Sequence, residues 1–259
     1  MWIYNHSAWP QCQWDNLANR RLLGRMEQLG LFQQQEARLD TFTEDVMMSS
    51  AIEVRSSVAR RLGMDQQGVM LPLSRAVEGI VEMTLDAIQT PHSPLTAERL
   101  FGWHAALFPT GYSGMHRITV AHWRSESSGP MQIISGPIGR ERVHFEAPSA
   151  NTLEKEMQAF LTWFNQNDSL NPILRAAIAH LWFVTIHPFE DGNGRIARAI
   201  SDMALARLDG APNHFYSLSK QLLAERQGYY NALEKQQAAN LDITAWLLWV
   251  LGCLGRAID

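Results

Sequence analysis

His187, Asp191, Arg195 and Arg198 fall within one stretch of twelve residues, His187-Pro188-Phe189-Glu190-Asp191-Gly192-Asn193-Gly194-Arg195-Ile196-Ala197-Arg198. These types at this spacing suit work on a polyphosphate. A histidine with an unperturbed pKa near ~6.5 can act as a base at neutral pH. Asp191 offers a carboxylate to magnesium, which typically takes one or two protein carboxylates and completes its octahedron with phosphates and waters. Gly192 and Gly194 let the backbone approach an anion closely. Arg195 and Arg198, three apart on a helix, lie on neighbouring parts of its surface and can reach the same polyphosphate.

Two helices must position these groups. Upstream, Asn171-Pro172 reads as an N-cap followed by proline at the first helical position, and Ile173, Ala177, Ile178, Leu181, Trp182 and Thr185 share one face. That helix is buried and delivers His187. Downstream, residues 195–208 return to helical spacing, with Ile196, Ile200, Met203 and Ala204 inward. The first-turn N–H groups of such a helix, together with its dipole, bind phosphate without a Walker lysine.

The stretch HPFEDGNGRIAR resembles the signature of the Fic family, H-P-F-x-[D/E]-G-N-G-R-x-x-R, with every defining position filled. The resemblance implies an enzyme that transfers AMP from ATP to a hydroxyl side chain (Ser, Thr or Tyr) of a target protein. On that basis His187 deprotonates the hydroxyl, which attacks the α-phosphate in line. Asp191 holds magnesium on the α- and β-phosphates, Gly192, Asn193 and Gly194 line the anion hole, and Arg195 and Arg198 hold the outer phosphates. Phe189 is implied to be a buried wedge that fixes the loop. The fold it implies is mainly α: a Fic-type helical core, residues 73–259, with one β-hairpin flap at about 131–146, and a small helical N-terminal domain, residues 1–72.

A second stretch, Ser49-Ser50-Ala51-Ile52-Glu53, resembles the inhibitory motif [S/T]-x-x-x-E-[G/N] of Fic proteins, with Ser49 and Glu53 in the defining positions. A glutamate brought to the phosphate site could pair with Arg198 and take the place of the γ-phosphate. A charge-assisted hydrogen bond contributes roughly 1.5–3 kcal/mol. Holding a site about 99% closed needs roughly 2.7 kcal/mol, so one such pair suffices in magnitude. The motif departs from the family at Val54, where Gly or Asn is expected, and Glu53 abuts Val54-Arg55-Ser56-Ser57 where related sequences run on for several residues.

The remaining segments fill out a helical protein. Helices are expected over 73–88, ended by Thr90-Pro91, and over 97–107, opened by Ser93-Pro94-Leu95-Thr96, with His104 a satisfied structural histidine. Met131 to Ser135 and Arg142 to Glu146 flank Gly136-Pro137-Ile138-Gly139 and read as a hairpin, the single β signal. In the family this flap presents the target segment by strand addition; a plain structural hairpin is the alternative. Residues 150–165 are a core helix. The tract from Ser217 through Leu233 reads as one continuous helix after a stop at Asp209-Gly210, and it resembles the region that supplies the adenine pocket. Tyr229, Tyr230 and Gln237 are the candidate adenosine contacts, with packing as the alternative for both tyrosines. Asp242 caps a last helix over 243–257. At the other end, Trp2, Trp9 and Trp14 read as plugs on the edge of a helical core.

Composition excludes several classes. The 259 residues are 46% hydrophobic with a net charge of −4, and no long basic run supports binding to nucleic acid or an anionic membrane. Two distant cysteines, Cys12 and Cys253, form neither a metal spacing nor a disulfide framework, which favours the cytoplasm. The N-terminus lacks a signal-peptide pattern, and the most apolar stretch, 243–254, is too short to span a bilayer. A homo-oligomer stays open, as does a C-terminal truncation, since similar layouts continue into a winged-helix-like unit. Two rival functions share the motif: the same scaffold with other phosphate chemistry, including de-AMPylation or another nucleotide donor, and a catalytically silent regulatory or binding module.

Overall fold

The computed structural model describes residues 1–28, 75–126, 129–136, 140–166, 169–207 and 218–258. Ser49 and Glu53 lie outside the described residues. Among the described residues are nine α-helices: α1 (Asn16–Gln28), α2 (Arg75–Gln89), α3 (Ala97–Leu107), α4 (Leu153–Phe164), α5 (Pro172–Ile186), α6 (Asn193–Ala206), α7 (Leu218–Ala224), α8 (Arg226–Gln237) and α9 (Thr244–Ile258). None of them is long and apolar enough to cross a membrane.

Helix α5 is the axis of the molecule. Asn171 caps it by accepting the Ile173 N–H at 2.9 Å, and Pro172 occupies its first turn. Every residue from Ile173 to Ile186 is buried. The apolar face legible in the sequence is therefore only part of it, because a helix enclosed all round must be surrounded by others. α6 packs along it most extensively, α4 and α9 cover other sides, and α2 crosses both α3 and α6. Arg175 is buried here because its guanidinium donates to the Trp163 carbonyl at 3.0 Å and lies 5.3 Å from the Trp163 ring centroid. Gly79 makes the crossing of α2 and α3 possible: a Cβ there would stand 1.8 Å from the Ala106 carbonyl oxygen.

Helix boundaries follow capping chemistry. Thr96 accepts the Arg99 N–H at 3.2 Å at the start of α3, and Asp242 accepts from both the N–H and hydroxyl of Thr244 at 2.9 and 2.6 Å at the start of α9. The helix expected to run continuously from Ser217 is instead divided at Glu225, whose carboxylate receives Arg256 in a bidentate fork at 2.7 Å on each oxygen.

The single-hairpin expectation is corrected, since the described residues hold two. β1 (Tyr112–Ser113) pairs with β2 (His116–Arg117), turning at Gly114 with φ 57°. Strands of two residues are too short to show an alternating period. β3 (Gln132–Ser135) pairs with β4 (Arg142–Glu146) where the flap was expected, with a register shift between Ile133 and Ile134. His144 has no backbone register partner there; its Nε2 meets the Ser135 hydroxyl of β3 at 2.5 Å and its Nδ1 lies 2.8 Å from Glu234 of α8, while Arg142 binds the other oxygen of the same carboxylate.

Trp9 and Trp14 pack against the helical core as expected, whereas Trp2 meets the hairpin. Trp9 packs edge-on against Trp182 and donates to Glu156 at 3.1 Å. Trp2 and Tyr4 meet Phe145 of β4 edge-to-face at 5.2 and 6.1 Å. Gln13 forms a one-residue parallel bridge beside the last helix, donating to the Leu241 carbonyl at 2.8 Å and accepting from Ile243 at 2.9 Å.

Candidate active site

The candidate site is the link between α5 and α6. α5 ends at His187, whose backbone is left-handed at φ 53° and ψ 59°. This is the usual C-terminal exit conformation of a helix, but glycine normally takes it, and an L-residue there costs roughly 1–3 kcal/mol. His187 Nδ1 lies 3.2 Å from the Val184 carbonyl oxygen. Since that oxygen can only accept, Nδ1 carries the proton and the lone pair sits on Nε2, the atom that would act as base.

Behind His187 the loop is pinned from within. The Asn193 side chain accepts the Phe189 N–H at 3.0 Å and donates to the Phe189 carbonyl at 2.8 Å. Phe189 is fully buried, as the wedge role requires, against Trp123, Phe101 and the ring of His104. His104 accepts the Ala121 N–H on Nδ1 at 3.1 Å, so Nε2 is the donor to the Asp191 carbonyl at 3.2 Å. Burial pushes its pKa down to about 4. It is a structural histidine.

The same loop is also gripped by a segment that shows no period in the sequence, residues 119–124. Thr119 donates through its N–H and hydroxyl to Glu190 at 3.1 and 3.0 Å. The Arg124 N–H donates to the Pro188 carbonyl at 2.8 Å, and its guanidinium Nε donates to the His187 carbonyl at 2.7 Å. Sequence reasoning missed these residues, and also Ser113, whose hydroxyl donates to Asp191 Oδ2. The only local signal was the pair Gly111 and Gly114 bracketing Ser113, both with positive φ.

Gly192 has φ 84°, and a Cβ would approach the Phe108 ring to 2.9 Å. Its N–H donates to Asp191 Oδ1 at 2.6 Å. Gly192 thus lines the loop by conformation, while its own N–H is engaged by Asp191. α6 starts at Asn193, two residues before the expected start, which puts Asn193, Gly194 and Arg195 in its first turn. Arg195 stacks over Phe108, 4.8 Å from the ring centroid, with a guanidinium nitrogen 3.9 Å from Asp191. Arg198 is 2% exposed on the same helix, and its charge helps hold the His180 pKa down.

Of the candidate adenosine contacts, Gln237 lies near this site. Gln237 donates to Thr185 at 3.4 Å, two residues before His187. Tyr230 is half-buried beside the Arg226 guanidinium. Tyr229 is corrected to packing: it is 2% exposed, and its hydroxyl lies 2.8 Å from Nε2 of His180, whose Nδ1 meets Ser201 at 3.2 Å.

Among the described residues no three metal-ligating side chains cluster. The donor set still fits magnesium, an ion that needs few protein carboxylates when phosphates and waters fill its shell. Asp191 supplies one carboxylate, held in place by Ser113 and the Gly192 N–H.

Fold and site define a helical protein in which a histidine closes one buried helix six residues before the next begins. Residues 94–205 match the Fic/DOC family, and residues 2–64 match a domain of unknown function (DUF4172). Residues 94–205 are thus a Fic domain. It is 39% identical over 114 residues to the protein adenylyltransferase Fic of Nematostella vectensis, a match covering 43% of this chain and 25% of that protein. The chain thus spans about a quarter of that relative's length. A Fic family protein from Desulfovibrio desulfuricans superposes with a TM-score of 0.63 at 21% identity, covering 93% of this chain and 71% of the other. A Fic domain containing signaling protein from Bacteroides thetaiotaomicron gives 0.60 at 20% identity, covering 93% and 94%.

Proposed function

We propose that this protein is an adenylyltransferase that moves AMP from ATP to a hydroxyl side chain of a target protein. The observation that supports the reading is the join between the two buried helices, where His187 closes α5 with Nδ1 beside the Val184 carbonyl and α6 begins six residues on at Asn193. In this reaction Nε2 takes the proton of the acceptor hydroxyl, the hydroxyl oxygen bonds to the α-phosphorus, and the bond to the β-phosphate oxygen breaks to release pyrophosphate. First-turn N–H groups of Asn193, Gly194 and Arg195 receive phosphate oxygens, and the Arg195 and Arg198 guanidiniums hold the outer phosphates. Magnesium, bound through Asp191, would neutralise charge on the α- and β-phosphates. Tyr230 and Gln237 face the adenosine, and the β3–β4 flap receives the target segment along its edge.

Residues 1–72 form the regulatory domain in this reading and 73–259 the catalytic one. Glu53, with Ser49 in its motif, restrains the enzyme by pairing with Arg198. The reducing cytoplasm suits the two unpaired cysteines. The test is intact-mass spectrometry of protein incubated with ATP and magnesium, alongside calorimetry of ATP binding. Glu53→Gly should gain one AMP, Glu53→Gly with His187→Ala none, and wild type little. Equal labelling of wild type and Glu53→Gly would remove Glu53 as inhibitor. A Glu53→Gly protein that neither labels nor binds ATP would overturn the transferase reading.

A further inference from the structure

Among the described residues no carboxylate bonds the Arg124 guanidinium, although the residue is 5% exposed and burial lowers its pKa. Arginine nevertheless stays protonated in a protein, so a full charge is held inside. Its partners are carbonyl oxygens: His187 at 2.7 Å from Nε, and Pro148 and Ile186 within reach of one terminal nitrogen. Ile186 and His187 are the last residue and C-cap of α5, where unpaired carbonyls and the negative end of the helix dipole collect. Pro148 lies two residues beyond β4. The backbone of Arg124 adds a bond to the Pro188 carbonyl at 2.8 Å.

A planar fork that ties together the end of the catalytic helix, the left-handed residue and the exit of the flap has a geometric purpose. His187 occupies a backbone conformation that its own side chain disfavours, so something outside α5 must hold it. Asn193 pins the loop at Phe189, two residues on. Arg124 grips the carbonyl of His187 itself.

We propose that Arg124 is a positioning residue for His187, fixing the left-handed turn from which the imidazole reaches the acceptor hydroxyl. The inference rests on His187 acting as the base, and it is testable without that reading. In Arg124→Gln, the imidazole 15N–1H spectrum, with His187 assigned by its loss in His187→Ala, should show His187 Nδ1 no longer locked in one tautomer, while the His180 signals stay in place. In the Glu53→Gly background, Arg124→Gln should lower the self-labelling rate at saturating ATP at least tenfold with ATP affinity within twofold. Arg124→Lys, which keeps the charge and loses the fork, should fall between. Free guanidinium should restore part of the rate to Arg124→Ala. An unchanged His187 spectrum in Arg124→Gln overturns the proposal, as does an unchanged labelling rate. If Glu53→Gly itself does not label, the spectrum alone decides Arg124 while the transferase reading is judged separately. If Arg124→Gln does not fold, Arg124→Lys is read by the same two measurements.

Discussion

The His104 ring lies flat on Phe189, with centroids 4.2 Å apart and planes 8° from parallel. This stack joins α3 to the loop that carries the candidate chemistry, and it depends on a neutral imidazole, because the Ala121 N–H needs the Nδ1 lone pair.

A pH dependence of stability results. The folded pKa of His104, about 4, lies below the ~6.5 of an unfolded chain. Its contribution is therefore complete above ~6.5 and is lost as pH falls toward 4. His180, pushed down to about 3 by burial and Arg198, acts in the same sense over a wider window. Urea denaturation at about pH 5 should show each histidine contributing roughly 1–2 kcal/mol less than at about pH 7. His104→Asn should reduce that difference, and an identical pH profile in the variant would refute the assignment.

His187→Ala should lower AMP transfer by the ~10²–10⁴-fold typical of a lost general base. Calorimetric ATP affinity should stay near wild type, because the phosphate contacts belong to α6.

Arg198→Ala should weaken binding of ATP more than that of AMP, since only the triphosphate reaches it. Equal losses for both nucleotides in calorimetry would place Arg198 outside the phosphate site.

Asn193→Ala orphans a buried N–H and a buried carbonyl of Phe189 at once. Each such group typically costs about 1–3 kcal/mol. Urea denaturation should register a loss of about 2–6 kcal/mol for the two together, with a weakened His104–Phe189 contact visible as a shift in the His104 ring resonances.

What the sequence revealed depended on how local each signal was. The Asn171-Pro172 cap, the Thr96 cap and the glycines at 192 and 194 act within a few residues of themselves, so α3, α5 and the turn into α6 were legible. Asp242 was read correctly for the same reason. Tyr229 misled because its partner, His180, is 49 residues away, and only packing shows that its hydroxyl turns inward. Arg124, Thr119 and Ser113 carry no motif or period. Their roles come from contacts 63 to 78 residues distant, which no window along the chain can display.

The bridge at Gln13 also bears on the order of events during synthesis. Asp15 donates to Thr244 across 229 positions, and Gln13 bonds on either side of Asp242. Residues 13–15 therefore have no seat beside α9 until residues 241–244 have been made. Their docking is a late, non-local closure of the kind that slows folding. In a growing polypeptide, Trp14, held between Gln13 and Asp15, belongs to the surface that chaperones meet.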